Sequence, residues 1–182
     1  TAVGCLPLLV SPTIHNLKVT KMLVDGRAGL NLISLAVISK PQIAEVELEV
    51  TDMFQGVNPG RSHPKGKITL LVTFGGELNY RPEKIVFDVL DLPLPYNGIL
   101  RCPALAKFMA ASHYAYDTLK MPRPLGVVTI PSDDKDAIIC VDKMYQDAVA
   151  AKAAAAPAKE NKGKKRDCRT SSKESGKHAP TE

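Results

Sequence analysis

At 182 residues the chain is long enough for one domain with a proper core and too short for two large ones. Its net charge of +5 is unevenly placed: residues 1–150 hold 15 basic and 15 acidic side chains, residues 151–182 hold 9 and 4. The body is neutral and the whole excess of positive charge sits in the tail, whose basic run is the candidate for contact with nucleic acid.

The chain begins at Thr1 and not at Met, which suggests a piece cut from a longer polyprotein. Gly4-Cys-Leu-Pro-Leu-Leu-Val10 is apolar, but Pro7 interrupts it, no basic segment precedes it and it is far too short to span a bilayer. It is expected to be the opening strand of a soluble protein. Leu6 to Ile14 and Leu17 to Val24 flank His15-Asn16, which predicts a tight hairpin. Met22, Leu23 and Val24 then run into Asp25-Gly26, and Leu30, Leu32 and Ile33 leave on the other side. This reads as a buried strand, a glycine-permitted turn carrying one carboxylate, and a second strand. Such a placement suits acid–base chemistry, and the same Asp-Gly between apolar runs also fits a plain hairpin.

Leu35 to Lys40 has room for about one helical turn before Pro41 stops it. Glu45, Glu47 and Glu49 alternate with Val46, Leu48 and Val50, a half-exposed strand or loop. Gln55 to Gly66 is crowded with glycine and proline, a mobile loop that leads into a firm strand with Ile68, Leu70, Val72 and Phe74 on one face. His63 in this loop has no ligand partner nearby and is expected to be exposed. Gly75-Gly76 marks a turn, and Lys84 to Leu90 puts Ile85, Phe87 and Val89 on one face. Beyond Asn97-Gly98 and Ile99-Leu100, Pro103 opens a short helix with Leu105, Phe108 and Met109 on one face. His113 to Met121 and Gly126 to Ile130 flank Pro122-Arg-Pro-Leu, a closing hairpin.

From Ser132 a helix is expected, with Asp133, Asp134 and Asp136 in its first turn and Ile138, Val141, Tyr145 and Ala148 as the stripe that docks on the barrel or on a partner chain. The tail has only Ala, Pro and Cys as apolar residues and is expected to be disordered. Its run Lys162-Gly-Lys-Lys-Arg166 suits nucleic acid, a nuclear localisation signal or a solvated linker. Cys5, Cys102, Cys140 and Cys168 show neither Cys-x-x-Cys spacing nor a nearby histidine, which argues against zinc and favours a reducing, cytoplasmic setting. No phosphate loop, Gly-x-Ser-x-Gly or Tyr-x-Asp-Asp is present.

These segments, in this order, resemble the retropepsin-like aspartic proteases, specifically the degenerate form in gag-pol polyproteins of plant gypsy-type LTR retrotransposons. The resemblance rests on Leu23-Val-Asp-Gly26 with Leu30-Asn-Leu-Ile-Ser34, on Phe54 to Gly60 through Gly66-Lys-Ile-Thr-Leu-Leu-Val-Thr-Phe74, on Ile85-Val-Phe-Asp-Val89, and on Pro95-Tyr-Asn-Gly-Ile-Leu100 with Pro103 to Phe108. It implies a mainly β domain over 1–130, a closed barrel of short strands and hairpins with one short helix. The amphipathic helix, 131–156, and the basic tail, 157–182, follow.

The resemblance further implies an aspartic endopeptidase that processes its own polyprotein, without metal or cofactor. Two aspartates must share one proton, and the chain offers one Asp-Gly loop, so the active form would be a twofold homodimer with Asp25 from each copy as the catalytic pair. Gly26, Arg27 and Ala28 would contact the polypeptide substrate, Leu30, Asn31 and Leu32 would line the adjoining floor, and Gly56, Val57 and Asn58 would belong to a flap over it.

Three residues depart from the family pattern. Gly26 stands where Thr or Ser is usual, Arg27 where Gly is usual, and Arg101 at the glycine of an Ile-Leu-Gly tripeptide. Long cations then crowd a carboxylate that must share a proton, and both lost glycines would be strained if the loop needs positive φ. The second reading is therefore a retropepsin-like domain that has lost catalysis and persists as a binding or structural piece of a retroelement polyprotein.

Overall fold

The computed structural model describes residues 4, 6–27, 29–40, 43, 48–50, 54–55, 61–62, 64–76, 78–91 and 94–155. The chain opens with β1 (Leu9–Val10), β2 (Thr13–Ile14), β3 (Leu17–Lys18), β4 (Met22–Val24), β5 (Leu32–Ser34) and a single helical turn, α1 (Leu35–Ile38). Next come β6 (Phe54–Gln55), β7 (Arg61–Ser62), β8 (Gly66–Gly76), β9 (Asn79–Leu90), β10 (Gly98–Leu100) and α2 (Cys102–Phe108). Finally β11 (Ala111–His113), β12 (Thr118–Arg123) and β13 (Gly126–Pro131) precede α3 (Asp134–Ala155).

Eight strands form one curled, half-barrel sheet in the order β1-β4-β10-β5-β9-β8-β2-β3. Its concave face holds the core. Period-2 alternation in β8 sends Ile68, Leu70, Val72 and Phe74 inward, and β9 answers with Ile85, Phe87 and Val89, all buried. These two strands, 11 and 12 residues long, pair from Gly66↔Val89 to Gly76↔Asn79, so the strand runs through Gly75 and Gly76 before it turns. Phe108 from α2 packs edge-on against Phe74 at 5.1 Å between ring centroids, closing one end of the core. The hairpin at His15-Asn16 forms as expected, with His15 in the left-handed region at φ 51°.

Several local expectations are corrected. The strand expected over His113 to Met121 is broken: β11 ends at His113, one 3-10 turn covers Tyr114–Tyr116, and Asp117, at φ 45°, redirects the chain into β12. Asp tolerates that conformation better than most residues, and β11-β12-β13 become a separate three-stranded sheet. In α2 the buried positions are Ala104 and Phe108, while Met109 caps the helix at φ 47° and faces solvent.

The helix α3 also docks differently. Ala137 and Cys140, not Ile138, Val141, Tyr145 and Ala148, pack on Leu9, with Leu6, Leu23 and Tyr96 around them. Two backbone ties set this: Leu9 N–H donates to Ser132 Oγ (3.0 Å) and Asp133 N–H to the Leu9 carbonyl (2.9 Å). Small side chains are what fit a helix held that close to an edge strand. Asp133 is the cap, its Oδ1 accepting from Asp136 N–H at 3.0 Å.

No described helix is long and apolar enough to cross a membrane. The expected basic tail, with its nucleic-acid and localisation readings, lies outside the described residues, as do His63 and most of 42–52.

Candidate active site

The strand β10 is threaded between β4 and β5, parallel to the first (Ile99↔Leu23, Leu100↔Val24) and antiparallel to the second (Ile99↔Leu32). The chain must therefore loop over β10 on its way from β4 to β5, and that loop starts with Asp25. Its backbone N–H donates to the Leu100 carbonyl at 2.9 Å, which fixes the residue at the strand end. Gly98, at the start of β10, takes the tightest place: a Cβ there would stand 2.7 Å from the Leu32 carbonyl oxygen and 2.8 Å from Met22 Cε. The close approach expected at position 101 is thus three residues earlier.

The Asp25 side chain is 32% exposed. Oδ1 accepts from Arg27 N–H at 3.2 Å, a turn-forming contact within the loop. Oδ2 lies 3.8 Å from Nε of Arg101, whose side chain is 11% exposed. That Nε is buried and has no hydrogen bond, so the carboxylate is the charge it faces. Gly26 carbonyl accepts from Cys102 Sγ at 2.8 Å, a second tie between the loop and the start of α2.

The expected strain is absent. Gly26, Arg27 and Arg101 all keep negative φ, and a Cβ on Gly26 would meet nothing nearer than Leu105 Cδ1 at 3.7 Å. The family's usual hydroxyl residue would fit at position 26. The two arginines add positive charge beside Asp25 without a left-handed backbone.

Asn31 has a larger part than the floor contact assigned from sequence. Buried, it accepts at Oδ1 from Arg101 N–H (2.9 Å), donates from Nδ2 to the Val86 carbonyl (2.9 Å), and its own carbonyl accepts from Asp88 N–H (2.9 Å). One amide therefore holds β5, β9 and the Arg101 backbone in register. The signal was legible as a lone polar residue inside Leu30-Asn-Leu-Ile33. A shallow cavity of about 170 Å³ adjoins it, lined by Leu30, Asn31, Val86, Asp88 and Pro103. Leu32 is buried in β5 and does not reach it.

Of the substrate-contact positions, Gly26 and Arg27 sit beside Asp25 on the exposed side of the loop. Ala28, Gly56, Val57 and Asn58 lie outside the described residues, although β6 and β7, which bracket 56–60, pair antiparallel. Among the described residues no group of three or more His, Cys, Asp or Glu is placed to hold a metal.

Among solved structures, the retroviral protease-like domain of Ddi1 from Leishmania major superposes with a TM-score of 0.52, covering 70% of this chain and 94% of that one at 20% identity. At that identity the similarity establishes the fold: the chain is retropepsin-like, and the threaded β10 beside the Asp25 loop is the feature on which the candidate site is built. No family model and no curated protein matches the sequence.

Proposed function

We propose that the chain is the retropepsin-like domain of a retroelement polyprotein, of the plant gypsy type its motifs resemble, in which the aspartic endopeptidase machinery is degenerate and the fold persists as a binding or structural module. The observation that carries this reading is the Asp25–Arg101 pair at 3.8 Å within one chain. A working site sets a second carboxylate and a shared proton against the first. Here a guanidinium, anchored through its backbone by Asn31, faces the carboxylate that would have to share that proton. A reducing, cytoplasmic setting is part of the same proposal.

A second reading, a homodimeric endopeptidase acting on polypeptide with Asp25 from each copy, is favoured by the partly exposed carboxylate and the unstrained loop fixed by Leu100. A peptide-library digest between about pH 4 and pH 7 separates the two. The degenerate domain cleaves nothing across that range. Cleavage that disappears in Asp25→Asn would replace it with the second reading.

A further inference from the structure

The helix α3 carries an apolar stripe that its own domain covers only in part, Val141 sharing a cavity with Leu6, Pro7 and Tyr96. Ile138, Val141 and Tyr145 are 46%, 40% and 71% exposed, and every residue from Val141 to Lys152 faces solvent. Beyond Met144, which accepts from the Tyr96 hydroxyl at 2.8 Å, the helix runs on for about three turns, a length that is marginal in water and ordinarily stabilised by burying an apolar face. The stripe continues to Ala148 with the 3-4-3 spacing of a helix-pairing seam.

That seam is self-complementary when read backwards. About a twofold axis at residue 143, Ile138 faces Ala148 of a second copy, Val141 faces Tyr145, and Asp134 faces Lys152. Asp134 and Lys152 lie on the same stripe, one turn beyond either end, and both are exposed. Acid at the start and base at the end also follow the helix dipole, so antiparallel packing sets opposite charges and opposite dipole ends together. We infer that α3 pairs antiparallel with α3 of a second copy of this chain. A second copy is the occupant because the seam supplies both halves of each contact. Asp142 flanks the axis in both copies, a like-charge contact that works against the pairing. The inference is independent of Asp25 and stands whether or not the chain cleaves peptide.

Sedimentation equilibrium of the full 182-residue chain tests it. The expected result is a dimer that Val141→Asp with Tyr145→Asp, both residues being exposed, converts to a monomer that loses helical circular dichroism and keeps the unfolding transition of its sheet. Asp134→Lys and Lys152→Asp should each weaken the dimer about tenfold, their combination should restore it, and Asp142→Asn should tighten it. A monomeric wild type overturns the inference. So does a dimer indifferent to the changes at 141 and 145, which would point instead to pairing through the Asp25 loop, or a charge swap that restores nothing.

Discussion

At the scale of single residues, the site separates side chains that hold the loop from one that answers charge. Asn31 belongs to the first kind: Asn31→Ala strips partners from the Arg101 N–H and the Val86 carbonyl in a buried place, an expected loss of about 1–3 kcal/mol by urea denaturation. Arg101 belongs to the second. Its ion pair with a partly exposed carboxylate is long and weak, so Arg101→Met should move stability by no more than about 1 kcal/mol. Glycine substitutions order the same way. Gly26→Thr has space and should be tolerated, whereas Gly98→Ala drives a methyl into the Leu32 carbonyl and Met22, an expected cost of about 1–3 kcal/mol. A Gly26→Thr variant that unfolds while Gly98→Ala does not would reverse this account of the loop. Sequence showed that the two arginines were unusual; that neither strains the backbone depended on φ values that residue identity does not set.

At the scale of elements, legibility followed burial on one face. The strands β8 and β9 could be read from alternation because one face of the hairpin meets the core along much of its length. The short strands β1, β4, β5 and β10 have too few residues for a period, and the Asp25 loop was placed by its motif. The break before β12 was hidden because Tyr114, Ala115 and Tyr116 suit a strand as readily as a 3-10 turn. Which face of α3 meets the sheet was hidden for a different reason: the larger apolar residues marked the stronger stripe, while packing against Leu9 selected the smaller one, and the larger stripe is left for the partner-chain alternative. Where α3 begins is set by Asp133, whose carboxylate caps the helix while the Ser132 hydroxyl holds β1. Asp133→Ala should therefore cost about 1 kcal/mol, read as a lower melting temperature, and Ser132→Ala should loosen β1, read as faster amide exchange at Leu9.

At the scale of the whole molecule, α3 is joined to the sheet along a narrow seam, and that seam should give the fold its response to alkali. Cys140 is buried against Leu9 with its thiol donating to the Pro95 carbonyl at 3.2 Å, and the Tyr96 hydroxyl donates to Met144 Sδ at 2.8 Å. Burial pushes the Cys140 thiol above its ordinary 9.0, with Asp136 adding to the rise and Lys21 and Lys143 opposing it. Burial, with Cys140 nearby, also raises Tyr96 above 10.0. Below about pH 7.5 both groups are protonated in the folded and unfolded chain alike, and neither affects stability. Above it the unfolded chain ionises first, the folded chain resists, and stability falls until the folded groups titrate. Melting temperatures should thus be level up to about pH 7.5 and decline from about pH 8 upward, with Cys140→Ala removing the earlier part of the decline and Tyr96→Phe the later. Iodoacetamide followed by peptide mapping gives the matching kinetic result: the exposed Cys102 should be modified well before Cys140. Equal labelling of the two, or a decline unchanged in Cys140→Ala, would mean that α3 opens from β1 in solution, and the alkaline response would then have to arise elsewhere in the sheet.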